Sequence, residues 1–237
     1  MGDYFCLEHP ETLVLATEAR DARPGAVLLA AHPFYPGGGG QLPDRGTLAW
    51  SRGEVAIASV TPAGEGAWIE LAEPAIVSGP VEARVDAGFR RMMRELHTDL
   101  HLLNALVFQH FDGALVTGVQ MNDDGSARID FDLPAADNDR LRRLEGPLND
   151  LIAQDLKVSA IRVPAAAAQA EKGLVRSRSV APPPSADGAI RVVEIAGVDR
   201  QACGGTHLSS TGESRPIRIL KIDNKGRHNR RIRIGLD

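Results

Sequence analysis

Along the first third of the chain, apolar residues come in short runs broken by turn formers: residues 12–16, 26–31, 46–49, 55–60, 67–71 and 79–85. None of these runs carries a three-to-four repeat. Short strands at this spacing predict a small β-barrel. At Phe89 the texture changes. Phe89, Met92, Met93, Leu96, Leu100, Leu103 and Val107 recur at steps of three and four, so 89–111 is predicted as a helix with one apolar stripe. Residues 115–120 and 127–132 flank Asn122-Asp-Asp-Gly125, a hairpin turn signal. A second helical pattern covers 137–156, a strand 158–163, and a short Ala-rich helix 164–172 closed by Gly173. Three prolines make 181–188 a loop, since proline can continue neither ladder. Strands follow at 190–195, 217–222 and 231–236. Hairpins and helices without a βαβ rhythm indicate an α+β fold, with a barrel domain over 1–88 and an α+β domain over 89–237.

A chain of 237 residues can bury the cores of two such domains. Cys6 and Cys203 are its two cysteines, which argues against a disulfide framework and for a reducing cytoplasm. No apolar run reaches the 18 or so residues that span a bilayer, and the start has no signal-peptide pattern, so no membrane association is expected. The net charge of −4 hides an uneven distribution. From Arg215 to Arg233, eight cations face a single acid, Asp223, and Arg227, Arg230 and Arg231 lie in this tail. It can track a phosphate backbone or serve as a solvated strand edge, and the charges alone do not separate the two.

The candidate chemistry lies in two clusters about a hundred residues apart, His97-Thr-Asp-Leu-His101 and Cys203-Gly-Gly-Thr-His207. Residues four apart on a helix project from the same side, so His97 and His101 form a ligand pair bordering the apolar stripe. Gly204 and Gly205 make the second cluster a tight loop through which backbone can pass close to a metal. Three imidazoles and one thiolate suit Zn²⁺. Asp199, four residues before Cys203, reads either as a partner to a histidine N–H or, more commonly for its type, as a turn aspartate. Asp99 falls between the two helical ligands and points elsewhere. A third motif, His32-Pro-Phe-Tyr-Pro-Gly-Gly-Gly-Gly-Gln41, offers close backbone approach, and the N–H groups of Gly38, Gly39 and Gly40 with Gln41 are candidates to receive an anion or sugar edge. A plain surface turn is the alternative. It lacks the Lys-Ser/Thr of a phosphate-binding P-loop.

Four segments carry a resemblance: Phe34-Tyr-Pro-Gly-Gly-Gly-Gly-Gln-Leu-Pro-Asp-Arg-Gly46, His97 to Leu103, Asp199-Arg-Gln-Ala-Cys-Gly-Gly-Thr-His207 and Asn224-Lys-Gly-Arg-His-Asn-Arg-Arg231. In this order they resemble the AlaX family of free-standing alanyl-tRNA editing proteins, relatives of the editing domain of alanyl-tRNA synthetase. The length matches the medium members, with the barrel and without the further C-terminal domain of the long ones. The resemblance implies hydrolysis of mischarged tRNA(Ala), chiefly Ser-tRNA(Ala) and also Gly-tRNA(Ala), sparing Ala-tRNA(Ala). It implies zinc on His97, His101, Cys203 and His207, and Thr117 as the residue that recognises the serine hydroxyl. The partner would be the tRNA acceptor stem and its charged 3′ end, with no nucleotide cofactor. Two positions depart from the family pattern: Gly38 replaces an acidic residue, and Asp99 a small one.

Four protein donors close a tetrahedron, which is the habit of structural zinc. Catalysis would need substrate or water to enter the shell, with His97 or His101 yielding, or zinc to hold the substrate amine while another group activates water. Thr98 follows His97, so no HExxH glutamate is present. Two other functions fit the same residues: an RNA-binding module with structural zinc, and a metallohydrolase acting on another small ester or amide.

Overall fold

The computed structural model describes residues 4–63, 66–134, 137–171, 173–177, 184–185, 187–226 and 228–237. The chain divides into two compact units: Gly2–Gly38 with Leu42–Arg91, and Gly39–Gln41 with Met92–Asp237. The fold is mixed α+β, as the patterning predicts.

The first unit is a closed six-stranded barrel. After a one-turn helix α1 (Phe5–Glu8) come β1 (Val14–Arg23), β2 (Ala26–Leu29), β3 (Gly46–Trp50), β4 (Gly53–Ala63), β5 (Gly66–Leu71) and β6 (Pro80–Val85), closing in the order β1-β2-β5-β4-β3-β6. Alternate residues point inward, and Val27, Leu29, Leu48, Ile69, Val81 and Ala83 fill the interior with Phe34. The shoulder of the glycine-rich loop is fixed by charge. Asp44 accepts the Tyr35 N–H at 2.6 Å and forms a fully buried, bidentate ion pair with Arg90, whose guanidinium also donates to Pro33 O at 2.9 Å. Burial opposes the Arg90 charge, but the Asp44 carboxylate outweighs it and raises its pKa.

The second unit is built around helix α2 (Ala87–His110), whose first five residues count with the barrel. A four-stranded antiparallel sheet has the order β12-β13-β8-β7, from β7 (Val116–Met121), β8 (Ser126–Asp132), β12 (Ile217–Lys225) and β13 (Asn229–Leu236). The turn signal at Asn122–Gly125 does close the β7–β8 hairpin, Met121 facing Ala127. A three-stranded sheet, β11-β10-β9, comprises β9 (Val158–Pro164), β10 (Ala189–Ile195) and β11 (Asp199–Ala202). Small helices α3 (Asn138–Arg142), α4 (Glu145–Ala153) and α5 (Ala165–Ala170) complete it. No helix among the described residues is long and apolar enough to cross a membrane.

Two expectations need correction. The single helix over 137–156 is two, because Pro147 has no N–H and its ring would collide with the carbonyl four residues back. It therefore sits in the first turn of a new helix, α4, after a break at Arg143 and Leu144. The other concerns α2, expected to show one buried stripe: every residue from Met93 to Val107 is buried, so a row of polar side chains goes inside with the apolar ones.

Candidate metal centre

That row defines the site, because a buried polar group without a partner costs about 1–3 kcal/mol. Each one on α2 finds a partner from a different part of the second unit. Arg94 Nε donates to His207 O, and Glu95 accepts from Arg215. His97 meets Gln41, and Thr98 Oγ1 accepts the Leu208 N–H at 3.2 Å. Asp99 accepts from Ser214 at 2.9 Å, His101 meets Asp199, and Asn104 donates to Gln201. Asp99 does point away from the ligands, yet it is wholly buried, and burial first and Glu95 next push its pKa well above the ordinary carboxylate value.

His97, His101, Cys203 and His207 converge: one donor atom from each lies within 4.8 Å of the others, and all four side chains are buried. The imidazole centroids are 4.2 Å apart for His97 and His207, 4.6 Å for His101 and His207 and 5.4 Å for His97 and His101. Such a set can hold a metal ion. The orientation of the rings supports this, since each Nδ1 is occupied on the outside of the cluster. His97 Nδ1 lies 2.9 Å from Gln41 Oε1, which also accepts the Thr206 N–H at 3.1 Å. Gln41 Nε2 donates to Thr206 Oγ1 at 2.8 Å, which fixes the amide so that the ring must donate from Nδ1. His101 Nδ1 donates to Asp199 Oδ2 at 3.1 Å, and His207 Nδ1 lies 3.3 Å from Thr98 Oγ1. The opposite nitrogens face inward, and Nε2 of His97 and of His207 are each 3.3 Å from Cys203 Sγ. A metal-binding imidazole needs this tautomer, with an acceptor behind it.

Charge in the cluster follows. Burial alone would raise the Cys203 thiol, but His97, His207 and His101 outweigh it and hold the pKa far below the ordinary value. Burial also opposes a proton on His101, yet the Cys203 thiolate and the Asp199 carboxylate raise its pKa to about 9. His207 is pushed well below the ordinary histidine value by burial and then by His97. Both shifts favour a negative Cys203 sulfur beside a protonated His101 when no metal is bound.

Gly205 makes the packing possible. A Cβ there would lie 2.1 Å from His97 Cε1 and 2.4 Å from its Nδ1. Arg191 donates to the carbonyls of both Cys203 and Gly205 at 3.0 Å and holds the loop's curve.

The other sequence candidates fall in distinct places. Gly40 has φ +86°, gives its carbonyl to the Met121 N–H at 2.8 Å, and would clash with Val119 if it bore a Cβ. Gly39 and Gly40 thus carry the chain along the edge of β7 and deliver Gln41 to His97. In the barrel unit, Gly38 O accepts the Tyr35 hydroxyl at 3.2 Å. Thr117 sits at a bulge in β7 and donates to Asn229 Oδ1 at 3.4 Å, a long contact. Arg231 is tied bidentately to Asp130 at 2.7 Å for both bonds, and Arg230 is buried, donating to Asn229 O at 3.3 Å. Arg227 lies outside the described residues. Asp199 is not a turn aspartate: it opens β11 with its side chain fully buried and orients His101. Gln201, which donates to Asp199, and Arg176, ion-paired with it, gave no signal, because their types and spacing form no motif.

Residues 190–233 match the family profile described as the threonyl and alanyl tRNA synthetase second additional domain. The chain is 32% identical to the alanyl-tRNA editing protein AlaX-M of Methanosarcina mazei, over 99% of this chain and 94% of that protein. Identity to the protein of the same name from Saccharolobus solfataricus is 32%, over 87% and 86%. The alanine–tRNA ligase of Corynebacterium diphtheriae is 30% identical over 89% of this chain, which matches 24% of that enzyme.

Proposed function

Since the chain belongs to the AlaX-M family of alanyl-tRNA editing proteins, we propose that it is an aminoacyl-tRNA deacylase that hydrolyses mischarged tRNA(Ala), chiefly Ser-tRNA(Ala) and also Gly-tRNA(Ala), and spares Ala-tRNA(Ala). The observation that carries the site is the buried three-imidazole, one-thiolate cluster with an acceptor behind each ring. The donor set is that of zinc, and His97, His101, Cys203 and His207 would hold it. When bound, zinc lowers the pKa of water and polarises an ester carbonyl.

The substrate bond is an ester between an amino acid and a ribose hydroxyl. Water adds to the carbonyl carbon, the bond to the ribose oxygen breaks, and that oxygen takes up a proton. Gln41, Thr98 and Asp199 keep the rings in one orientation, and the buried setting removes competing solvent. For water or substrate to reach the metal, His97 or His101, the pair carried on one face of α2, would be the ligand to give way.

Discrimination rests on what a pocket can reject. A site sized for alanine excludes serine or glycine by only about 10–200-fold, whereas a site that bonds the serine hydroxyl rejects an alanyl ester that leaves its polar group unpaired. Thr117 supplies that bond. Its existing contact, 3.4 Å to Asn229, is weak enough to exchange for a substrate hydroxyl. The acceptor stem meets the exposed cations of the β12–β13 hairpin, among them Arg218, Lys221 and Arg233, whose surface ion pairs cost little to break. Arg230 and Arg231 support that hairpin from within.

The test is incubation with Ser-tRNA(Ala), Gly-tRNA(Ala) and Ala-tRNA(Ala), with and without chelator. Loss of seryl and glycyl ester with the alanyl ester intact, in the metal-replete sample alone, is expected. Equal loss of all three, or none, contradicts the reading. The closed donor set favours a second reading, an RNA-binding module with structural zinc, which predicts tRNA binding without turnover and unfolding when metal is removed.

A further inference from the structure

Asp199, the carboxylate behind His101, is held from two further sides. Its Oδ2 accepts from Gln201 Nε2 at 2.6 Å, and Gln201 Oε1 in turn accepts from Asn104 Nδ2 at 2.6 Å. Its Oδ1 faces Arg176 Nη1 at 2.9 Å, an ion pair whose angle falls outside that of a hydrogen bond. Arg176 is itself fixed at three points. Its Nε donates to Gly173 O at 2.8 Å, its guanidinium lies 4.2 Å over the Phe108 ring of α2, and its carbonyl accepts the Val116 N–H at 2.8 Å. Ser177 continues this contact as a parallel bridge to Val116, the residue before Thr117.

A buried carboxylate keeps its charge only beside a cation or several donors. Arg176 places its charge beside Oδ1, while Oδ2 accepts from both Gln201 Nε2 and His101 Nδ1, so the cation and the amide hold the carboxylate from opposite ends against the ring. We propose that Arg176 is a positioning residue of the cluster: it sets the His101 ring through Asp199 and ties that setting to the strand that bears Thr117. The proposal rests on the reading that the four donors bind metal.

The experiment replaces zinc with Co²⁺, whose visible bands report ligand geometry, and measures affinity by chelator competition in wild type, Arg176→Met, Arg176→Lys, Asp199→Asn and the Arg176→Met/Asp199→Asn double variant. Circular dichroism checks the fold. Partners behind a metal ligand are worth about 10–100-fold in affinity, so Arg176→Met should weaken Co²⁺ binding by that factor and shift the bands. Arg176→Lys should fall between it and wild type. Because both residues act through one His101 contact, the double variant should bind no worse than Asp199→Asn. Wild-type affinity and bands in Arg176→Met overturn the proposal; if that variant does not fold, the same result in Arg176→Lys does so. Losses that multiply in the double variant also overturn it. A wild-type protein that takes up no Co²⁺ defeats the metal reading itself and this inference with it, an outcome distinct from intact binding in the variants.

Discussion

Gly205→Ala isolates the metal centre from the rest of the fold. Gly205 is not among the residues with positive φ, so alanine meets no backbone strain there. What it meets is the His97 ring: the new Cβ would stand 2.1 Å from Cε1, where ordinary contact begins at 3.4 Å. Ring or loop must therefore retreat by about 1.3 Å, while a metal–ligand bond tolerates roughly 0.2 Å. The same Cβ would lie 2.8 Å from Gln41 Oε1, so the acceptor that orients His97 is displaced as well. Overpacking of this kind costs about 1–3 kcal/mol, which lowers stability without unfolding most domains. His97 is lost as a ligand, and zinc affinity should fall by at least about 100-fold, beyond the effect of losing a partner behind a ligand. Chelator competition gives the affinity, and thermal unfolding of the metal-free protein gives the stability. A folded Gly205→Ala protein that binds zinc within about threefold of wild type would refute this reasoning, because the ring would then have moved without cost to the site.

Between about 9 and 6.5, zinc affinity should fall about tenfold for each pH unit, because binding must expel the proton that the raised pKa keeps on His101; a slope near zero in that range, from competition at several pH values, contradicts this. The raised His101 pKa alone gives stability present below its ordinary 6.5 and lost as pH rises through about 9, while the lowered Cys203 pKa gives stability that is lost as pH falls. Between 6.5 and 9 the folded pair holds one proton and the unfolded pair one, so the pair leaves metal-free stability flat with pH. Asp44→Ala should destabilise the barrel unit by about 3–5 kcal/mol, since it leaves a buried Arg90 unpaired; a change under about 1 kcal/mol in urea unfolding would show that the guanidinium finds another partner. Thr117→Val should bring seryl and alanyl ester hydrolysis closer together at unchanged zinc content, and an unchanged ratio removes Thr117 from the pocket.

The barrel was legible because its strands are short, closely spaced and divided by marked turns, and His97 with His101 because helical spacing is fixed. The convergence of Cys203 and His207 on them followed from residue type, since no local pattern joins segments so far apart in the chain. Polar partners were harder to read. Arg94, Glu95, Asp99 and Asn104 look like the solvated face of an amphipathic helix, and only the packing of the second unit on all sides of α2 puts them inside. Gln41 read as a residue facing a ligand, whereas its amide is occupied by Thr206 and His97. Arg231 read only as one cation of the basic tail, because Asp130, its partner, lies about a hundred residues earlier on the neighbouring strand.

The account stands on one ion held by His97, His101, Cys203 and His207 and required for ester hydrolysis. The direct measurement is Ser-tRNA(Ala) deacylation by metal-stripped protein as zinc is added back. The rate should rise in proportion to bound zinc, level off at one equivalent, and stay near background in Cys203→Ala. Full activity in the stripped protein, or an activity indifferent to zinc in one that binds it, would contradict the account.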